Sequence, residues 1–482
     1  MHGEVDPQEV LRRAQDLWES DVLPTLERYV RIPNLSPHFA PTWEADGHME
    51  EAVELLASWC SSRPLEGIEV DVVRPSGLTP TILVDIPAHG PGPRDHVGPE
   101  VLMYGHMDKQ PEFTGWREGL GPWEPVREGD RLYGRGTADD GYAVFAALTG
   151  IEAVRAAGGS HSRCLVMIEA SEESGSRDLP ATLDLIADRL GQPSLVVSLD
   201  SGCPSYDRIW CTGSLRGLVT GTLTVRVMAQ GVHSGSAGGV VPSTFRIARS
   251  LLSRIEDEET GEILLDQLKV AIPPEAAAEA EAVSQMVGEE AVGLFPVVDG
   301  LQLAGAGTAD RLVRRNWEPA MTVTGADGLP TLVSAGNVLR PFTSLQLGFR
   351  LPPTCDSGAA AKAIEQALTS DPPYGAEVTF ELQSAADGWA APSLEKWLDA
   401  AVDAASVGCF GEHFGIVGEG GTIPFMGMLG ERFPAAQILA TGVLGPGSNA
   451  HGPNEYLDVP MAMKLSAAIG MVLDAETRRT DS

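Results

Sequence analysis

The chain has 482 residues, 43% of them hydrophobic, and sets 34 basic against 67 acidic side chains for a formal net charge of −33. That length exceeds one ordinary core and implies two domains, and so negative a chain is a poor partner for nucleic-acid backbones or anionic lipid surfaces. Six cysteines without C-x-x-C pairing suggest neither a disulfide framework nor a thiolate zinc site and suit a reducing cytoplasm; no secretion signal and no apolar run of about 18 residues is seen, so no membrane span is expected.

Helical spacing of apolar residues predicts surface helices over about Pro7 to Tyr29 and His48 to Cys60. Short apolar runs at Val101 to Tyr104, Cys164 to Ile168 and Leu195 to Leu199 predict buried strands, with an alanine-rich helix at Tyr142 to Ala157 between the first two. Strands alternating with helices imply an α/β fold with a largely parallel sheet. After Thr212 the texture changes. GLVTGTLTVRVMAQ alternates as a strand, Val241 to Ile255 reads as a helix, and an acidic, alanine-rich stretch runs to about Gly293. Strands at Ala320 to Thr324, Leu345 to Arg350 and Glu377 to Leu382, with a helix near Gly358 to Leu368, complete a small α+β unit. The α/β texture returns after Trp389, so the second unit is read as inserted in the first.

Acidic and histidine residues fall just past the predicted strand ends: His106 and Asp108 after VLMYG, Glu172 and Glu173 after CLVMIEAS, Asp200 after SLVVSL. Ligands of open α/β sheets bind at that edge. Asp139, in GRGTADDG before the alanine-rich helix, joins them where a helix dipole favours a carboxylate. So many carboxylates and imidazoles in one crevice repel one another without cations, and their oxygen and nitrogen donors suit zinc, cobalt or manganese. A carboxylate bridging two ions roughly 3.5–4 Å apart would set up a bridging hydroxide.

Taken in order, YGHMDKQPE, LYGRGTADDG, EASEESGS, SLDSG, GVHSG and NAHGPNEYL resemble the motifs of carnosinase-like dipeptidases. These belong to the metallopeptidase family that also holds aminoacylases, succinyl-diaminopimelate desuccinylases and glutamate carboxypeptidases. The resemblance implies a mixed, mostly parallel catalytic domain from residues 1–213 and 388–482, with an α+β lid and dimerisation domain at 214–387. It also implies two divalent metal ions, His106 and Asp200 holding one, Glu173 and His451 the other, and Asp139 bridging. Glu172 becomes the general base, and Asp108 orients the His106 ring. His233, in GVHSG, is implied to reach the partner subunit's site and polarise the scissile carbonyl, hence a homodimer. Arg350 is implied to anchor the substrate carboxylate, with Asn337 as a polar lid residue beside it. GEGGTIP resembles a family loop that would place Glu419 near a substrate amine and the Gly421 and Thr422 donors near the carboxylate.

The reaction so implied is hydrolysis of the amide bond of dipeptides or similar small amides. An aminoacylase acting on N-acyl amino acids is the alternative, with Glu419 discriminating; a non-catalytic metal-binding homologue is opposed by the intact ligand set. Two departures from the family pattern, Gly141-Tyr142 where a lysine and a glycine are usual and Lys109-Gln110 after Asp108, are expected near the pocket.

Overall fold

The computed structural model describes residues 5–90, 98–293, 295, 297–421 and 423–479. The larger body is built on a six-stranded mixed sheet in the order Glu69–Val73, Thr81–Ile86, Cys164–Glu169, Val101–His106, Leu195–Ser198, Gln437–Ala440. The last four pair in parallel, whereas Thr81–Ile86 joins both its neighbours antiparallel. Val101–His106 and Cys164–Glu169 are buried at every position, which is why they read as unbroken apolar runs.

The alanine-rich helix spans Ala143–Ala156 and packs on the C-terminal helix Val459–Thr477. Glycine permits that approach: a Cβ on Gly150 would stand 2.6 Å from the Ser466 carbonyl oxygen. Asp458 caps the last helix, accepting the Met461 N–H at 3.0 Å. At the other end of the chain, Pro7–Leu17 and Leu23–Val30 are joined through a π-helical turn at Trp18–Val22. Val10, Ala14, Trp18, Val22 and Leu26 are fully buried, so this expected surface helix is one layer of the core on its inner face.

The smaller unit is a four-stranded antiparallel sheet in the order Ala320–Asp327, Phe342–Leu351, Gly217–Arg226, Glu377–Ala386. Val219, Leu223, Leu347 and Phe349 face a core shared with the helices Thr244–Leu252 and Ser357–Thr369. The alanine-rich stretch behaves differently from the rest of the segment around it. It forms the helix Pro274–Val287, followed by Thr308–Trp317, and Ala280, Val283, Val292 and Leu312 join the core of the larger body. The helices Pro274–Val287 and Thr308–Trp317 therefore lie within the expected insertion by sequence but pack against the strand Gly415–Glu419 of the larger body. Among the described residues no helix is long and apolar enough to cross a membrane, and all six cysteines are free and buried.

Candidate metal centre and active site

Parallel pairing decides where the chemistry gathers. His106 lies in register with Glu169, and Tyr104 with Ser198, so the segments carrying His106 and Asp108, Glu172 and Glu173, and Asp200 leave the same sheet edge. A second device brings in the remaining donors. The strand Tyr456–Asp458 pairs with Arg131–Tyr133, aligning Tyr456 with Tyr133, and sets the loop bearing His451 beside the turn bearing Asp139.

Two donor sets result, His106 with Asp139 and Asp200, and Asp139 with Glu173 and His451; within each, ligand atoms lie within 4.8 Å of one another. Asp139 belongs to both. Its Oδ1 is 3.2 Å from His106 Nε2 and its Oδ2 is 3.0 Å from His451 Nε2, while Glu173 Oε2 is 3.1 Å from the same His451 nitrogen. Asp200 Oδ2 stands 3.8 Å and Glu172 Oε2 3.9 Å from His106 Nε2. All five expected ligands and Glu172 are thus brought together.

These acids can share a crevice only with compensating positive charge. Burial works against a charged imidazole at His106, but hydrogen bonds to Asp108 and Asp139 outweigh it and hold its pKa well above the ordinary range. His451 is raised to about 11, Asp139 and Glu173 again overcoming burial. Burial, with the charge of Asp200 beside it, pushes the Glu172 carboxyl well up, and burial lifts Asp200 to about 7. Asp139 goes the other way: burial would raise it, yet hydrogen bonds from both histidines hold it below the usual carboxylate range. Two imidazole nitrogens and three carboxylates, one placed to bridge, fit a pair of zinc, manganese or cobalt ions, and no thiolate is among them.

Buried partners hold these groups in place. The carboxylate of Asp108 accepts the N–H groups of Glu172 at 3.1 Å and Glu173 at 3.0 Å, and stands 3.4 Å from His106 Nδ1. It therefore aims three functional residues at once. Sequence reading assigned no role to four others, although it placed Gln110 near the pocket. Gln110 donates to Glu173 Oε2 at 2.6 Å, and Asp140 accepts the His106 N–H at 3.1 Å. Glu455 accepts the N–H groups of Gly136, Ala138 and Asp139 at 3.0, 3.3 and 3.3 Å and pairs with Arg135 at 2.7 Å, while Arg135 also donates to the Gly452 carbonyl at 2.8 Å. All four sit inside the quoted motifs, Asp140 directly beside a candidate ligand and the other three each four residues from one, which was the available signal.

Of the residues in the two departures from the family pattern, Gln110 touches the site as expected, whereas Lys109 and Tyr142 turn inward. Lys109 and Tyr142 are fully buried; Lys109 Nζ donates to the carbonyls of Tyr29 and Ile32 at 2.8 Å each, and the Tyr142 hydroxyl donates to the Leu199 carbonyl. Both brace backbone next to the site, because buried polar tips need partners.

Glu419 ends the strand Gly415–Glu419, its Oε1 accepting from the Gly202 N–H at 2.9 Å and the Thr212 hydroxyl at 2.6 Å. The Gly421 carbonyl accepts the Arg216 N–H at 2.9 Å, and an Arg216 guanidinium nitrogen reaches the Arg350 carbonyl at 3.4 Å, so Gly421 and half-buried Arg350 meet through Arg216. Thr422 lies outside the described residues. Exposed His233 keeps its Nδ1 on the Gly235 N–H at 3.1 Å, and the Asn337 carbonyl accepts the Ser234 N–H at 2.9 Å, so His233 and Asn337 are neighbours. Their ribbon, Val232–His233 on Val338–Leu339, precedes the strand Phe342–Leu351, and Arg350 lies eight residues on from Phe342, about 27 Å at roughly 3.4 Å per residue. Asn337 is therefore not beside Arg350 within one chain, as had been expected.

Residues 102–474 match the sequence pattern described as Peptidase family M20/M25/M40. A cysteinylglycine-S-conjugate dipeptidase of Corynebacterium striatum is 28% identical over 434 residues, covering 89% of this chain and 90% of that protein. The Beta-Ala-His dipeptidase of Homo sapiens is 25% identical over 279 residues, 54% of this chain and 51% of that protein. In structure, the di-peptidase Dug1p from Saccharomyces cerevisiae superposes with a TM-score of 0.75 at 20% identity, covering 98% of this chain and 99% of that one, a likeness of fold.

Proposed function

The chain belongs to peptidase family M20/M25/M40 and is a homologue of metallodipeptidases, and on that premise we propose that it hydrolyses the amide bond of dipeptides with a free amino terminus. The single observation that supports this reading most is Asp139 shared between two donor sets with Glu172 at their edge. His106 and Asp200 would hold one divalent cation and Glu173 and His451 the other, Asp139 belonging to both donor sets. The cations, zinc or else manganese or cobalt, would supply Lewis-acid polarisation of a water and of the scissile carbonyl. Glu172 takes a proton from the attacking water and hands it to the leaving amine. Asp108 holds the His106 ring and the Glu172-Glu173 turn in register with each other.

Substrate binding falls to Glu419 for the ammonium and to Arg350, with Gly421 and Thr422, for the carboxylate. The guanidinium fork suits bidentate binding of a carboxylate. His233 supplies a donor to the developing oxyanion, with Asn337 at its side. Because the length of a strand separates their ribbon from Arg350, one substrate can meet both only if they come from two copies of the chain. This supports a homodimer in which the insertion within 214–387 reaches the partner's site, while its helical segment 274–317 stays docked on its own catalytic body, formed by 1–213 and 388–482.

Relatives are named for cysteinylglycine S-conjugates and for Beta-Ala-His, and this chain's substrates are proposed to be dipeptides of that general kind. The test is turnover by purified protein loaded with zinc, manganese or cobalt, comparing dipeptides with their N-acetyl forms. Cleavage of the free dipeptides and not the acetylated ones is expected; the reverse preference would identify an aminoacylase instead.

A further inference from the structure

The carboxylate of Glu172 accepts no hydrogen bond among the described residues and stands 3.9 Å from His106 Nε2. Where it points is therefore set by the backbone that carries it. That backbone is a tight turn, closed by the Ser176 N–H donating to the Ser171 carbonyl at 2.9 Å around the single 3-10 turn Glu172–Ser174. Its middle is held twice: Asp108 accepts the N–H groups of Glu172 and Glu173, and Ser174 Oγ accepts the His38 N–H at 2.9 Å and shares a hydrogen bond with the Ser36 hydroxyl.

Its two ends meet on a carboxylate that takes no part in the mechanism above. Glu169 closes the strand Cys164–Glu169 and is 2% exposed. Its Oε2 accepts the Ser171 hydroxyl at 2.9 Å, and its Oε1 accepts the Ser176 hydroxyl at 2.9 Å and the Tyr104 hydroxyl at 2.5 Å. Among the described residues it has no ion-pair partner, so those three hydroxyl donors alone compensate its burial. Tyr104 is itself immobile, fully buried with its ring stacked on Phe425. Ser176 has φ 49°, a left-handed conformation unfavourable for any residue but glycine, and its hydroxyl bond to Glu169 holds it there.

We propose that Glu169, seated on Tyr104, is a positioning residue for the general base: through Ser171 and Ser176 it fixes both ends of the turn and so keeps Glu172 within reach of the proton it moves. The inference rests on the mechanism proposed above, from which it takes Glu172 as the base. Misplacing a reacting group by about 1 Å costs on the order of a hundredfold in rate. Glu173, the other acid on the turn, has holds of its own in Gln110 at 2.6 Å and His451 at 3.1 Å. A turn freed at its ends therefore loses rate before it loses metal.

The experiment is a double-mutant cycle on the metal-loaded, full-length protein, with Glu169→Ala and Glu172→Gln made singly and together and kcat, KM and bound metal measured for each. The substrate is whichever the protein cleaves, dipeptide or N-acetyl amino acid, so the cycle is independent of that choice. Glu169→Ala should lower kcat by about 10–100-fold, the scale for loss of a group that supports a functional residue, with KM and metal content nearly unchanged. In the Glu172→Gln background the same change should cost no more than about twofold, because no base remains to be aimed. Glu169→Gln should restore most of the rate, since its amide oxygen still accepts the Tyr104 and Ser176 hydroxyls and the Ser171 hydroxyl can turn to accept from the amide nitrogen. If Glu169→Ala does not fold, Ser176→Gly takes its place: it deletes one hydroxyl, suits the left-handed backbone, and should show the same pattern at the low end of that range. An unchanged kcat, an equal loss in both backgrounds, or a loss that follows the metal reduces Glu169 to a fold contact and overturns the proposal. Full activity in Glu172→Gln, or no turnover of either substrate class by the wild type, overturns the mechanism proposed above, and the role of Glu169 with it.

Discussion

Glu172 stands 3.9 Å from His106 Nε2 yet belongs to neither donor set, so its removal should separate chemistry from metal holding. Glu172→Gln is expected to lower kcat by at least about a hundredfold, the usual scale for a general base, with metal content by mass spectrometry nearly unchanged. Retained activity at full occupancy would pass the proton-transfer role to another group. The histidines give a pH prediction. Protonation of His451 is favoured up to a pKa of about 11 in the metal-free protein, and that of His106 well above its ordinary range, so both rings are protonated at neutral pH. Binding two cations must release at least the two ring protons, with a further contribution from Asp200, whose carboxyl burial lifts to about 7, and affinity must fall as pH falls. Calorimetry in buffers of different ionisation enthalpy counts them. The sign for the bare fold is opposite: raised imidazole pKa values contribute stability that is full below the ordinary 6.5 and is lost as pH rises through about 11.

Between elements, the pair Arg135 and Glu455 fastens the Asp139 turn to the His451 loop. Both side chains are buried, at 1% and 0% exposed, and together they bind backbone on each side of the junction. Breaking a buried pair by removing one charge costs about 3–5 kcal/mol, and loss of a support behind a metal ligand about 10–100-fold in metal affinity. Glu455→Gln should fall at the low end for stability, since the amide oxygen still accepts the turn's N–H groups. Denaturant unfolding of the metal-free protein and chelator competition measure the two effects separately; an unchanged metal affinity would reduce Glu455 to a fold contact.

For the whole molecule the decisive question is whether His233 works on a partner. Sedimentation should show a dimer, and His233→Ala should lower kcat/KM by about 10²–10³, as loss of an oxyanion donor does. Mixing His233→Ala with Glu172→Gln subunits sharpens the test. Half of freely exchanging dimers are mixed and each holds one complete site, so activity should return to roughly a quarter of wild type. Exchange without recovery would place His233 in its own chain's site or outside catalysis.

How much of this was readable in advance differs from one feature to the next. Buried parallel strands must be apolar throughout, so their ends show as the points where acids and histidines begin, and His106, Asp108, Glu172, Glu173 and Asp200 were legible there. The order of the motifs supplied His451, but its meeting with Asp139 depends on the pairing of Tyr456 with Tyr133, a contact between segments more than 300 residues apart. Periodicity shows that a helix has a buried face without saying what covers it. That is why the docking of the helices Pro274–Val287 and Thr308–Trp317 on the larger body, and the inward positions of Lys109 and Tyr142, were not foreseen. The sequence by itself determined the fold class and the donor set. Only the tertiary structure decided the separation of Asn337 from Arg350 and the meeting of Tyr104 with Glu169, because those depend on where distant segments come to rest against one another.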